Sequence, residues 1–557
     1  MAGQLRPGPA AGLRTLERAA RGLGRPCPVP ARTTATAIGL GFFLLMAGWA
    51  LITPMNATDE AAQIVKAAAT VRLQNLGTVE HVSKTALGLG RRSQLTVGEV
   101  SVYRVPASFA GRSMPCFMNG AQNPSCAGRM SNSSRITSAI SYVGNYNPLY
   151  YLLVGWPTLL TLGVKCVYLM RLCSAALNAV LLGLAARTAL ATRRPRRALL
   201  CLTAAATPMT LFFGGIVNPN GTEICAAMLV WCVVLRVATA VEPVPGVVRG
   251  LAGRGVLGIF LLLNLRMLGP LWLVLIAGFG WWIARPETRR AAVRCRTVRV
   301  AAVGSAALCA VSLLWTRLTP MEMVSLSASH ARFLRAARIT LDLAPRDLRE
   351  MLFSYDWAQV QLPMLAAVLL TATYTLLFTP LLTDRRYLPP FLAMACATVA
   401  IPVLLQGYEM HRLGLVWQGR YLLPFAIGLA LLAGFADLDP RRAAVSEAGG
   451  RALEHWLSLF LGVSGLTCFW WAVRENANRD GILGSLLPRH AHWAPAVTWP
   501  GAVLPYLLGA VVVGWALWRC ADRDEPAALP AAPDPGAGPA APVPLPPPGQ
   551  TPVPTPR

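Results

Sequence analysis

Apolar runs of about 20 residues recur along most of this chain, separated by short loops rich in arginine, and nothing else limits its fold so strongly. The bilayer core offers the backbone no water to bond, so runs of this length cross it as helices. Twelve can be read, at about 35–52, 167–190, 198–215, 222–241, 251–265, 268–284, 298–316, 362–382, 388–406, 420–437, 454–472 and 501–518. The expected architecture is an all-α polytopic membrane protein of about 12 transmembrane helices.

Composition agrees with this reading. The chain is 54% hydrophobic and 14% charged, where a soluble protein of its size would carry about a quarter charged residues. Its net charge of +26 would point to nucleic acid in a soluble protein. Here the arginines gather at Arg187–Arg197, Arg249, Arg254, Arg285–Arg299, Arg385-Arg386 and Arg441-Arg442. The positive-inside rule places those loops, and both termini, in the cytoplasm, so topology accounts for the excess and nucleic acid is not an expected partner. All basic residues except Lys66, Lys84 and Lys165 are arginine, a bias of composition rather than of function. The 13 cysteines show no metal-ligating spacing.

The organisation follows from these spans. Residues 1–34 hold six arginines and a single acid, Glu17, and read as a disordered basic cytoplasmic arm. The first span is taken as an uncleaved anchor. Residues 35–437 form the main membrane module, with a long first outer loop at 54–166 and a second at 317–361. Residues 438–520 add the last spans, and 521–557 form a Pro/Ala-rich disordered tail.

The first loop contains an aromatic segment, Tyr146-Asn-Pro-Leu-Tyr-Tyr-Leu-Leu-Val-Gly-Trp-Pro157, that invites reading as another span. If it crossed, the run Arg193-Arg194-Pro195-Arg196-Arg197 would fall outside, against the positive-inside rule. Residues 148–163 are therefore expected as a juxtamembrane helix in the outer interface, where Tyr and Trp are favoured. Alternation around Gln94–Val105 suggests a strand. Cys116 and Cys126 share the oxidising side and are expected to form a disulfide, two free thiols being the alternative.

Chemistry is sought where ionisable groups sit at span ends. Just past the first span, Asn56-Ala-Thr-Asp-Glu-Ala-Ala-Gln63 opens an alanine-rich helix expected to reach Gly77. Thr58 is its expected N-cap, with Asp59 and Glu60 in the first turn. Ordinary capping would explain that pair, but its place at the lip of a membrane domain makes it a catalytic candidate. Arg171, Asn218, Glu223, Arg266, Asp356, Glu409, His411 and Arg420 fall on the same face. Arginine forks suit an anionic lipid-linked phosphate, and a carboxylate takes a proton from an attacking hydroxyl or holds a divalent metal. Local ion pairing or snorkelling is the alternative for each arginine. There is no Walker loop, HExxH or GxSxG.

An Asp-Glu pair after the first span, the Asn147-Pro-Leu-Tyr-Tyr151 segment and a short link to Tyr168-Leu-Met-Arg-Leu172 together resemble the GT-C membrane glycosyltransferases. The chain is more closely similar to a bacterial membrane-protein family of GT-C type, catalogued as a domain of unknown function, over most of 35–500. Thr207-Pro-Met-Thr, Asn218-Pro-Asn-Gly-Thr-Glu223, Arg266, Gly269-Pro-Leu-Trp272 and Trp417-Gln-Gly-Arg-Tyr421 carry that likeness. The family usually shows Pro-Asp-Glu-Pro-Ala-His where this chain has Thr58-Asp-Glu-Ala-Ala-Gln63.

The resemblance implies a glycosyltransferase of the plasma (inner) membrane that moves a sugar from a polyprenyl-phosphate donor to a cell-envelope acceptor. Asp59 and Glu60 would be catalytic, with Asp59 also the ligand of any Mg or Mn ion. Arg171, Glu223, Arg266, Arg420, Tyr150 and Tyr151 would bind substrate. Besides that donor, membrane lipids are the expected partners. A lipid-linked glycan transporter or a non-catalytic scaffold of envelope assembly is the rival reading; a transporter would show internal repeats and mid-span charges.

Overall fold

The computed structural model describes residues 30–81, 98–111, 124–127, 130–321, 331–355, 360–438, 447–477 and 493–520. Helix α1 (Ala31–Ile52) leads into a first loop built from α2 (Glu60–Thr70), β1 (Thr78–His81), β2 (Glu99–Pro106), β3 (Ile136–Ser141) and α3 (Leu149–Gly155). Then follow α4 (Gly163–Ala189), α5 (Pro195–Ala205), α6 (Pro208–Gly215), α7 (Pro219–Ala238), α8 (Val244–Leu265), α9 (Gly269–Ile283), α10 (Pro286–Arg294) and α11 (Arg296–Leu318). A second loop carries α12 (Phe333–Leu352) and the paired strands β4 (Ser354–Tyr355) and β5 (Val360–Gln361). Helices α13 (Met364–Leu382), α14 (Leu388–Leu413), α15 (Leu423–Phe435), α16 (Glu447–Ala477) and α17 (Trp499–Arg519) complete the described chain.

Among the described residues nine helices are long and apolar enough to cross a membrane; α5 and α6 are so only when taken together, and they bend by 66° at the break between them. Two shorter apolar helices, Gly269–Ile283 and Gly419–Phe435, occupy the remaining expected positions. Each of the twelve expected segments thus finds a helix. The aromatic segment folds as the short apolar helix Leu149–Leu159, too short at 1.5 Å per residue to span about 30 Å of hydrocarbon.

The kink has a local cause. Thr207 accepts a hydrogen bond from the Thr210 N–H at 3.2 Å, and Pro208 occupies the first helical turn, so the chain restarts a helix there. Asn218 and Pro219 start α7 the same way. Both are motifs that carried the family likeness, and helix initiation is one thing they do.

Trp49, wholly buried in α1, centres the core. Its ring lies 5.6 Å from Phe212 of α6, 5.3 Å from Phe469 of α16 and 6.4 Å from Tyr506 of α17. Small residues let α1 and α17 approach this closely. A Cβ on Gly48 would stand 2.6 Å from the Tyr506 Cβ, and one on Gly509 would stand 2.7 Å from the Gly41 carbonyl oxygen.

In the first loop, β1, β2 and β3 form an antiparallel sheet in that order, with Tyr103 opposite Ala139. The strand expected around 94–105 is β2. Its alternate residues Tyr103 and Val105 are buried, and the Ser141 hydroxyl donates to the Ala62 carbonyl of α2 at 2.8 Å. Lys66, wholly buried, joins these parts. Its ammonium donates to the carbonyls of Gly144, at 2.7 Å, and of Asn75, and to the Tyr103 hydroxyl at 3.3 Å. Helix α2 stops at Thr70, short of Gly77, because Leu73 turns left-handed with φ 65°.

Candidate functional site

The segment joining α1 to α2 holds three non-glycine residues in the left-handed region: Asn56 at φ 66°, Thr58 at 35° and Asp59 at 65°. Such conformations are costly and collect at functional sites. They also correct the expected cap. Asp59, not Thr58, stands at the N-cap position, the helix begins at Glu60, and the Asp59 side chain caps nothing. The Thr58 hydroxyl is buried without a hydrogen-bond partner among the described residues. Asp59 and Glu60 consequently point to different surroundings.

Glu60 faces inward to Arg171 of α4, and neither side chain is exposed. Arg171 Nε donates to Glu60 Oε1 at 2.7 Å and Nη2 to Oε2 at 2.5 Å. The other donors reach the carbonyls of Ala50 and Thr53, each at 2.7 Å, and of Pro54 at 2.8 Å. Glu60 Oε1 also accepts the Val217 N–H at 3.1 Å. All five N–H bonds of the guanidinium are thereby used. The pair ties the exit of α1 to α4 and to the α6–α7 junction, with no donor left for a ligand. Tyr150 and Tyr151 are likewise fully buried. The first shares a 3.0 Å bond with the Ser174 hydroxyl, and the second donates to Gln63 Oε1 at 2.5 Å. Gln63 thus has a structural partner of its own.

Asp59 faces a different group of residues. Its Oδ2 accepts from Arg420 Nη2 at 2.6 Å and its Oδ1 from the Tyr142 hydroxyl at 2.9 Å. The Arg420 guanidinium lies over Phe213, 4.5 Å from the ring centre, and 5.2 Å from that of Tyr421. Arg266, just past α8, lies over the same Tyr421 ring at 4.7 Å and 5.9 Å from Tyr146. Its Nη1 stands 3.5 Å from Glu223 Oε2, which also accepts from Asn220 at 3.3 Å. Two guanidiniums therefore share one tyrosine, with a carboxylate beside each. Arg420 Nε has no partner among the described residues. Burial, reinforced by the negative charge of Asp59, pushes the Tyr142 phenol well above its ordinary pKa, so it stays a proton donor to the carboxylate. Burial raises Tyr146 too, against the opposing pull of Arg266.

Arg420 is placed by a short helical turn at Gly419–Leu422. The Gly419 N–H donates to Glu350 Oε2 at 3.0 Å. A side chain at 419 would strike the Asp347 carbonyl of α12, so the second loop braces the arginine through a glycine.

Of the expected substrate residues, then, Glu223, Arg266 and Arg420 join Asp59, while Arg171, Tyr150 and Tyr151 form the brace behind it with Glu60, which was expected to be catalytic. Tyr142, Tyr146 and Tyr421 are additions. Tyr146 opens and Tyr421 closes a motif already singled out, whereas Tyr142 carried no signal. His411 lies at the surface, its ring 2.8 Å from the Tyr408 carbonyl. Cys126 is disulfide-bonded; Cys116, its expected partner, lies outside the described residues, as does Asp356.

A divalent metal does not fit here. Among the described residues no three His, Cys, Asp or Glu side chains converge. Both Asp59 oxygens are taken, one of them by a cation. An added divalent charge would be repelled by the guanidinium.

The family model described as "Predicted membrane protein (DUF2142)" matches residues 43–429, well over half of the chain. No curated protein matches it. The matched stretch contains every residue of the Asp59 cluster.

Proposed function

The chain belongs to that family of membrane proteins, and from that premise we propose that it is a glycosyltransferase using a polyprenyl-phosphate sugar. One observation carries the reading: Asp59, held in left-handed backbone and released from capping, pairs with Arg420, whose guanidinium shares one tyrosine ring with that of Arg266.

Arginine forks recognise phosphate oxygens with paired, charge-assisted bonds. On arrival of the donor, Arg420 exchanges Asp59 for the phosphate, and Arg266 takes a further oxygen. Asp59 is then free to accept a proton. The acceptor hydroxyl oxygen bonds to the anomeric carbon as its proton passes to Asp59. The bond from that carbon to the phosphate oxygen breaks, and its electron pair leaves with the polyprenyl phosphate. Tyr142 holds the carboxylate in line, while Glu60 and Arg171 fix the backbone beneath it. Arginine-rich short loops on one side of the bundle support a plasma-membrane topology with cytoplasmic termini and the site on the outer face.

The test is transfer in proteoliposomes from a polyprenyl-phosphate sugar pool. The Asp59 side chain caps nothing, and Asn accepts left-handed backbone as Asp does, so Asp59→Asn should leave abundance unchanged. Loss of general-base help should slow transfer by about 10²–10⁴-fold. Turnover like that of the unmodified protein would remove Asp59 from the mechanism.

A further inference from the structure

Helix α11 is the least packed span, and its one buried residue is polar: Ser312. Its neighbours Val311, Leu313, Leu314 and Leu318 are more than half exposed, as expected of a lipid-facing surface. Ser312, Trp315 and Thr316 share one helical face. That face closes a crevice whose other walls are Asn147 of the first loop and Asn264 at the end of α8, with Arg266 on its lining. Polar groups at membrane depth are costly unless bonded.

These groups have spare capacity. Asn264 donates to the Phe260 carbonyl at 2.9 Å and accepts from Asn147 at a long 3.3 Å, which leaves one N–H on each amide. The Trp315 indole is committed to the Asn145 carbonyl at 2.9 Å, which fixes its ring at the wall. Ser312 lines the same crevice, and its carbonyl accepts from the Thr316 hydroxyl at 3.1 Å. Amide and hydroxyl groups beside Trp and Tyr rings suit a neutral, hydroxyl-rich ring. Arg266, shared with the Asp59 cluster, suits an anion at its edge.

We propose that this crevice is the head-group subsite: Asn147, Asn264 and Ser312 bind the hydroxyls of the donor's sugar while Arg266 binds its phosphate, the lipid tail lying against α11. This rests on the transferase reading for the identity of the ligand, not for its binding.

The experiment is a binding titration of the full chain in lipid nanodiscs. The probes are farnesyl phosphate, its hexosyl, aminohexosyl and pentosyl forms, and water-soluble hexose 1-phosphate. At least one glycosylated lipid should bind 10-fold or more tighter than bare farnesyl phosphate, and the soluble sugar phosphate should bind far more weakly. Asn264→Leu should erase the preference. Ser312→Ala, which removes one hydroxyl and keeps the fold, should reduce it about threefold, an effect of the size expected for one hydrogen bond. Arg266→Gln should weaken both lipid probes alike. No preference for any glycosylated lipid, or a preference that survives both Asn264→Leu and Ser312→Ala, overturns the subsite. Crevice binding without transfer by the unmodified protein would instead overturn the transferase reading alone.

Discussion

Asp59 and Glu60 are adjacent carboxylates with opposite surroundings, and substitutions should separate them. Glu60→Gln or Arg171→Met leaves a buried charge or fork without its partner, a loss of about 3–5 kcal/mol. Either should abolish monodisperse protein after detergent extraction, as read by size-exclusion chromatography, whereas Asp59→Asn should not. Lys66 adds a pH dependence. Burial lowers its amine from the usual 10.5 to about 7. The unfolded state then holds the extra proton between about pH 7 and 10.5, so stability rises with pH across that window. Thermal melts should show a higher Tm at pH 9 than at pH 7, and Lys66→Met should flatten the difference. The sequence made the acids and arginines visible as polar residues at span ends. It did not show which acid meets which arginine, because Arg171 and Arg420 lie 111 and 361 residues from their partners. Tyr142 was hidden for the same reason: its only distinction is the contact with Asp59.

Hydrophobic length was enough to locate helices. Runs such as Ala31–Ile52 and Met364–Leu382 announce themselves because the bilayer imposes the length. Local chemistry gave the rest unevenly. Thr207-Pro and Asn218-Pro mark helix starts, but the 66° bend between α5 and α6 depends on what packs there. Helix α2 begins one residue later than Thr58 implies and ends before Gly77, since the backbone turns left-handed at Asp59 and Leu73, which residue type does not announce. Packing of α1 on α17 makes a prediction at this scale. Gly48→Leu would force the helices apart at Tyr506 and loosen the Trp49 cluster. Overpacking of this kind costs typically about 1–3 kcal/mol, so the melting point should fall while Gly246→Leu, with open space around it, leaves it unchanged.

For the molecule as a whole, the arginine pattern and the position of the site make a joint claim about sidedness. In a cysteine-free background, a cysteine at Arg193 should react with a membrane-impermeant reagent only after the membrane is opened, and one at Leu153 should react in intact cells. The reverse would invert the bundle and put the Asp59 cluster in the cytoplasm. The bundle was legible in outline because every span is a local signal. The cluster was not, because it is made from the first loop, the α6–α7 region, the end of α8 and the turn before α15. That dispersal also bears on synthesis. Asp59 leaves the ribosome 361 residues before Arg420, and Asn476, whose side chain donates to the Ile52 carbonyl at 2.9 Å, follows later still. A chain halted or half inserted carries the acid without its arginine. Competence for any chemistry at Asp59 therefore arrives late in biogenesis, and nascent chains pass through the membrane inert.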